Sequence, residues 1–353
     1  MAAATSAAVP PELAAKLKAL EGKPGKAGAS PFGNLQDPDL RSLRPYELSE
    51  TLRPEVERLG LQGNLEDMRE RGYTVLKGCF SHEECDALVA AVKRVGPTNH
   101  MLRKGGEEAF DAVVTNEKLY TMAEFMVGKG CQLSQLAGTI MEQSKSKRAV
   151  PSIGLHADQN WTPAPFPEHN QLFTGCVVLS DDFTLENGAT CVVPGSHKLR
   201  RHPNATEQRH CADLVEPILA KKGDIACWDG SVWHAAGVRR NEGQRVVLHV
   251  TYCRVFMSPL ENYDHIPESS IGPKPCAPVL RRLIGRGSEM KGLFNVKEPG
   301  RNMLQFVRLT EMARGTYDQP AFSKKVEGIK MAIKMMQSGQ NASKDKEAPP
   351  SKL

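Results

Sequence analysis

From residue 135 to residue 255 the chain is a succession of short, β-branched stretches, separated by Gly, Pro, Asn or Asp. They are Gln135–Gln143, Gly154–Asp158, Phe173–Leu179, Ala189–Val193, Ile225–Trp228, Trp233–Val238 and Arg245–Val255. Stretches with that composition and punctuation read as strands. Many short strands in a row predict a sandwich or barrel, here a jelly roll with helices on its outside. A mainly β fold with flanking helices is therefore expected. No run of eighteen apolar residues occurs, so no transmembrane helix is expected.

The helices are expected on either side of this region. Asn64–Arg71 reads as a helical turn leading into a strand at Tyr73–Leu76. Ser81-His82-Glu83-Glu84 is a capping box, and Cys85, Leu88, Val89 and Val92 follow it at helical spacing. A second helix is expected around Glu117–Met126. Residues 1–45 are rich in Ala, Pro, Gly and Lys and read as a flexible arm, with a short helix near Pro11–Leu20. Residues 46–265 read as the main domain, 266–338 as a Pro-rich and helical extension, and 339–353 as a disordered tail. Within the extension, Val326, Ile329, Ile333 and Met336 form an apolar stripe flanked by lysines.

Charge and cysteine usage exclude some classes. Residues 270–353 carry 16 Lys+Arg against 7 Asp+Glu, whereas the rest of the chain is mildly acidic. The basic residues are spread along helices and loops with no nucleic-acid motif, so a solvated face is expected and no nucleic-acid partner. The nine cysteines are scattered without a C-x-x-C pair, which predicts free thiols in a reducing or neutral compartment. The N-terminus lacks the charged and apolar regions of a secretory signal. It has no Arg before Arg41, which weakens a mitochondrial reading.

His156-Ala157-Asp158 carries the chemistry. Side chains at i and i+2 of an extended strand point to the same face. An imidazole and a carboxylate so placed can hold one metal ion, and His234 from a distant strand would complete a 2-His-1-carboxylate triad suited to non-haem Fe(II). Arg245 follows after the turn Asn241-Glu242-Gly243, so a hairpin can return it beside His234. Its planar fork suits the carboxylate of a dicarboxylic co-substrate such as 2-oxoglutarate. With O2 as the second co-substrate, such a site calls for a dry cavity. Trp161, Phe173, Trp228 and Trp233 are available to wall it. A lone H-x-D occurs by chance in many chains; His156 by itself also reads as a core histidine and Asp158 as a turn residue. The ordered set points to metal. His169, His202, His210, His249 and His265 read as surface or core residues.

These residues resemble the phytanoyl-CoA dioxygenase family of Fe(II)/2-oxoglutarate oxygenases. The matching stretches are Arg71-Gly72-Tyr73-Thr74-Val75-Leu76-Lys77-Gly78, His156-x-Asp158, Glu186-Asn187-Gly188-Ala189-Thr190, Pro194-Gly195-Ser196-His197-Lys198, and Gly223-Asp224 through His234 to Arg245. They cover roughly residues 65–257. The resemblance implies a double-stranded β-helix of the jelly-roll, cupin-like kind. It implies iron on His156, Asp158 and His234, and 2-oxoglutarate on Arg245. It also suggests Gln143, with Thr139 on the same face, as further co-substrate ligands, a surface or pairing role being the alternative for each. Trp161 is suggested as a pocket residue or ordinary core. His197 is expected to tie down its turn without touching iron. Related halogenases replace the carboxylate with a small residue, so Asp158 favours hydroxylation.

The expected activity is that of an oxidoreductase, a dioxygenase hydroxylating a small organic substrate. The family points to a fatty acyl-CoA attacked next to the thioester, and Lys198, Arg200, Arg201 and His202 are available for CoA phosphates or form a solvated loop. The alternatives are the same chemistry on a non-CoA small molecule, a non-catalytic jelly-roll binding protein, and a cupin-like enzyme using no keto acid. Ser351-Lys352-Leu353 reads as a peroxisomal address recognised by an import receptor.

Overall fold

The computed structural model describes residues 45–286 apart from 51, 129, 146–153, 160, 161, 255 and 256, together with Ala15 and Lys18. Ala15 and Lys18 are helical, inside the stretch expected to be so. The rest of the arm, the apolar stripe at Val326–Met336, the tail with Ser351-Lys352-Leu353, and Trp161 lie outside the described residues.

Two antiparallel sheets form the centre. The larger takes β1 (Tyr73–Leu76), β2 (Gln132–Glu142), β3 (Leu172–Val178), β6 (Ile225–Asp229) and β8 (Gln244–Cys253), in the order β1-β6-β3-β8-β2. The smaller takes β4 (Cys191–Val192), β5 (Glu216–Pro217) and β7 (His234–Ala235), in the order β5-β4-β7. The segment around His156 joins the smaller sheet through one bridge to His234. Along the chain from β2 to β8, successive segments pass back and forth between the sheets, with only β4 and β5 consecutive in one of them. That alternation is the winding of a double-stranded β-helix, as expected. No closed barrel forms among the described residues.

Helices cover one face of the larger sheet. Ser81 caps α3 (His82–Val95, after the short α1 Arg53–Arg58 and α2 Gln62–Glu70), and both halves of the capping box form. A cap of this kind stabilises its helix by about 1 kcal/mol. Leu88, Ala91 and Val92 of α3 and Leu119, Met122 and Met126 of α5 (Glu117–Val127, after α4 Asp111–Val114) pack with Phe173, Val177, Leu248, Val250 and Tyr252 of the sheet. Leu280 and Leu283 from the C-terminal side join the same core. The opposite face of the sheet meets the smaller one. There Cys176, Val178, Ala226, Trp228 and Val247 pack with Phe183, Val192, Ile218 and Val232.

β3 is buried along its whole length, as a strand packed on both faces must be. Its residues therefore divide by parity alone: Phe173 and Val177 face the helices, while Thr174, Cys176 and Val178 face the second sheet. Two expected strands shrink. Ala189–Val193 becomes Cys191–Val192, and Trp233–Val238 becomes His234–Ala235, because the smaller sheet pairs only over these two rungs. Gly154–Asp158 forms a single bridge in place of a strand. All nine cysteines are described and none is paired. No described helix is long and apolar enough to cross a membrane.

The Pro194-Gly195-Ser196-His197 turn fastens the smaller sheet to the start of β1. Gly195 donates to the Arg71 carbonyl at 2.8 Å, and His197 Nε2 donates to the Arg69 carbonyl at 3.2 Å. The His197 ring lies against Gly72, whose φ is +78° and on which a Cβ would stand 2.4 Å from Nδ1. Gly72→Ala is expected to cost about 3 kcal/mol in urea unfolding, combining left-handed strain with overpacking. Gly60→Ala, at φ +66° with nothing within 4 Å, should cost only about 1 kcal/mol. Equal losses at the two positions would show that the His197 contact contributes nothing.

Candidate metal centre

The backbones of His156 and His234 lie directly opposite one another. His156 N–H donates to the His234 carbonyl at 3.0 Å, and His234 N–H to the His156 carbonyl at 2.8 Å. This pairing sets the two imidazoles side by side, with ring centroids 4.4 Å apart. Each ring is turned by the carbonyl two residues before it. His156 Nδ1 lies 3.1 Å from the Gly154 carbonyl, and His234 Nδ1 lies 3.1 Å from the Val232 carbonyl. A carbonyl only accepts, so Nδ1 carries a proton on both rings and each Nε2 is the nitrogen turned toward Asp158 and available to a metal.

Asp158 supplies the anion. Its Oδ1 stands 3.4 Å from His234 Nε2 and 4.0 Å from His156 Nε2. Ligand atoms from the three residues all lie within 4.8 Å of one another. Its Oδ2 accepts from Thr174 Oγ1 at 3.0 Å and from Trp228 Nε1 at 3.0 Å. Burial alone would raise the carboxyl, but the His234 ring, the His156 ring and the Trp228 N–H hold it well below the usual carboxylate range. Burial would lower His234, and Asp158 beside it reverses the direction. Burial and the neighbouring His234 lower His156. The His156 and Asp158 side chains remain 34% and 24% accessible against 7% for His234, so the set opens on their side. Two imidazole nitrogens and one carboxylate oxygen, open on one side, match the donor set for a divalent transition metal that must also bind exchangeable ligands.

Arg245 lies on the same inner face, on β8. Arg245, Val247, His249 and Thr251 alternate onto one side of that strand, opposite Met141, Thr139, Ala137 and Gln135 of β2. The Arg245 guanidinium sits over the Phe183 ring at 5.3 Å from its centroid. Only 3% of the residue is accessible, and Nε and Nη1 are buried without a hydrogen-bond partner among the described residues. An always-charged group buried with unused donors fits an anion that belongs there, as a carboxylate would. His249 lies near it. Burial, and then the Arg245 charge, push its imidazole down to about 4, so it is neutral at physiological pH. Its ring meets Trp228 edge-on at 5.9 Å, and Trp228 in turn lies 5.1 Å from the His234 ring.

The structure thus brings His156, Asp158, His234, Arg245 and Thr139 to the space between the sheets. It places other expected site residues elsewhere. Gln143 is exposed, and its amide donates to the Arg240 carbonyl at 2.7 Å, which takes up the end of β2 in holding the hairpin before β8. Phe173 faces the helices and stacks on Tyr252 at 6.5 Å. Trp233 packs with Leu155, Ala157 and Phe166, under the Arg201 guanidinium, and donates to the Arg201 carbonyl at 2.6 Å. Both aromatics were expected to wall the cavity; residue parity turns each away from it. Conversely, Thr174 and His249 reach the centre without having been expected there.

The family model described as phytanoyl-CoA dioxygenase (PhyH) matches residues 68–247, just over half of the chain. Dioxygenase andF of Emericella variicolor is 31% identical over 105 residues, 30% of this chain and 34% of that protein. Dioxygenase olcK of Penicillium canescens is 26% identical over 198 residues, 53% of this chain and 61% of that protein. The chain therefore spans about a third of the first relative and three fifths of the second. A crystal structure of HygX from Streptomyces hygroscopicus with nickel, 2-oxoglutarate and hygromycin B bound aligns over 56% of this chain and 89% of its own, at TM-score 0.48 and 16% identity.

The buried guanidinium with unused donors has a measurable consequence. Arg245→Met keeps the length of the side chain and removes the unpaired cation. It is expected to stabilise the ligand-free protein by about 1–3 kcal/mol in urea unfolding. A loss of stability would mean that the guanidinium is already satisfied without a ligand.

Proposed function

Because the chain belongs to the phytanoyl-CoA dioxygenase family, we propose that it is an Fe(II)- and 2-oxoglutarate-dependent dioxygenase that hydroxylates a small organic substrate. The observation that carries this reading is the pairing, on one inner face, of a two-His, one-carboxylate set with a buried guanidinium that lacks a partner.

His156 Nε2, His234 Nε2 and Asp158 Oδ1 would hold the iron, the aspartate contributing one negative charge and the histidines none. Arg245 would bind the distal carboxylate of 2-oxoglutarate through Nε and Nη1. Bound Fe(II) supplies the activation of O2, with one oxygen atom entering succinate as CO2 leaves and the other replacing C–H by C–OH in the substrate. The balance is substrate, 2-oxoglutarate and O2 giving hydroxylated substrate, succinate and CO2. Val178, Ala226 and Val247 are buried apolar residues on this side of the sheet, as a site that must limit water requires. Neutral His249 presents an imidazole near Arg245 without adding to the positive charge there.

One observation favours a substrate without coenzyme A over an acyl-CoA. The basic group available for CoA phosphates is already engaged: Lys198 pairs with Glu70, Arg200 with Glu168, and Arg201 with both oxygens of Glu207. A phosphate would have to displace these carboxylates.

Purified protein incubated with Fe(II), 2-oxoglutarate and O2, and screened against a substrate library, is expected to form succinate. His156→Ala should lose at least about 100-fold of that turnover. Absence of succinate with every candidate would remove the dioxygenase reading and leave a jelly-roll binding protein. In the same screen an acyl-CoA is expected to turn over no faster than its free acid; a clear preference for the thioester would restore the acyl-CoA reading.

A further inference from the structure

We propose that Thr174 and Trp228 are positioning residues that restrict Asp158 to coordinating metal through a single oxygen, so that the side of the site facing the opening stays free for exchangeable ligands. This rests on the metal-dependent reading above.

A carboxylate can bind a metal through one oxygen or both. Here the two oxygens are differentiated. Oδ1 is turned toward His234 Nε2 at 3.4 Å and His156 Nε2 at 4.0 Å. Oδ2 accepts two hydrogen bonds, one from Thr174 Oγ1 and one from Trp228 Nε1, each at 3.0 Å. The two donors come from directly opposite positions on neighbouring strands, since Thr174 of β3 pairs with Trp228 of β6. The larger sheet thus presents a two-pronged clasp to a carboxylate carried by a segment outside it.

The direction of each bond is fixed. An indole N–H only donates, and an ionised carboxylate only accepts. Thr174 spends its single proton on Asp158. Its contact with Thr251 Oγ1 at 3.2 Å therefore has Thr251 as the donor. A short relay runs from Thr251 on β8 through Thr174 on β3 to Asp158, spanning two strands of the sheet. The indole is held from the other side by the rings of His234 and His249, at 5.1 Å and 5.9 Å. Thr174 is 3% and Trp228 2% accessible, so no water competes freely for either donor. Swinging Oδ2 onto the metal would strip two buried donors of their acceptor. Partners of this kind orient a ligand and set its affinity for the ion.

The test uses the full chain carrying Thr174→Val, Thr174→Ser, Trp228→Phe and the Val/Phe double change. Circular dichroism checks the fold, and anaerobic titration with Fe(II) and Co(II) gives the affinity. The visible absorption of the Co(II) form reports the coordination number. Thr174→Val and Trp228→Phe are each expected to weaken metal binding by about 10- to 100-fold. Thr174→Ser, which keeps the hydroxyl, should return to wild-type affinity. The Co(II) spectrum of the double variant should shift as the freed oxygen joins the metal. Wild-type affinity and an unchanged spectrum in all variants would overturn the clasp while leaving the metal site standing. A serine variant as weak as the valine one would also overturn it, by showing a packing effect. If Trp228→Phe fails to fold, the valine and serine pair decides alone. A wild-type protein that binds neither metal would overturn the clasp together with the reading it rests on.

Discussion

The two backbone hydrogen bonds between His156 and His234 are the constraint on which the centre depends. Among the described residues the His156 segment forms no strand, and its backbone pairing with the smaller sheet is this one bridge. Around it lie supports that make one bridge sufficient. Ser196 Oγ accepts the Trp233 N–H at 2.8 Å, immediately before His234, and Gln208 donates its amide to the Leu155 carbonyl, immediately before His156. The same relation then repeats on both sides, each imidazole bonded to the carbonyl two residues earlier. The bridge fixes the spacing of the rings and the carbonyls fix which nitrogen is free, so geometry and protonation follow from backbone structure.

Charge on the inner face is sparse and separated. Asp158 is negative and lies among donors; Arg245 is positive and lies over an aromatic ring with donors unspent. His249 shares that face and stays neutral, because both burial and the guanidinium oppose its protonation. A ligand that carries negative charge at its far end and neutral or chelating oxygens at its near end matches this polarity in only one orientation. An asymmetric co-substrate bound there would be oriented by charge before any shape complementarity is considered.

Much of this was legible in the sequence, and the limits have physical causes. The central strands announce themselves because β-branched runs end in turn residues, and the capping box at Ser81 works locally. The triad and Arg245 are readable because their residue types and order are rare together. What sequence reading missed depends on parity and on strand ends. A strand buried on both faces has no alternation, so Leu172–Val178 does not reveal that Thr174 faces in and Phe173 out. Gln143 sits one residue past the end of β2, where the side chain serves the adjacent hairpin. One signal was available: a lone hydroxyl in the otherwise apolar Leu172-Phe173-Thr174-Gly175-Cys176-Val177-Val178 asks for a buried acceptor, and Asp158 is that acceptor.

The winding between sheets also governs when the centre can come into being. β2 pairs with β8, more than a hundred residues later in the chain, and β1 pairs with β6 across an even longer loop. Closures of this length carry a large entropic cost early in folding and are rewarded only when neighbouring pairs form too. His156 and Asp158 precede all but β1 and β2 in the order of synthesis, yet their partners His234, Thr174 and Trp228 are carried by later strands of both sheets. Partly collapsed chains therefore hold the three candidate ligands without holding them together. A metal held by all three residues would thus be acquired late, and its binding would mark a completed topology.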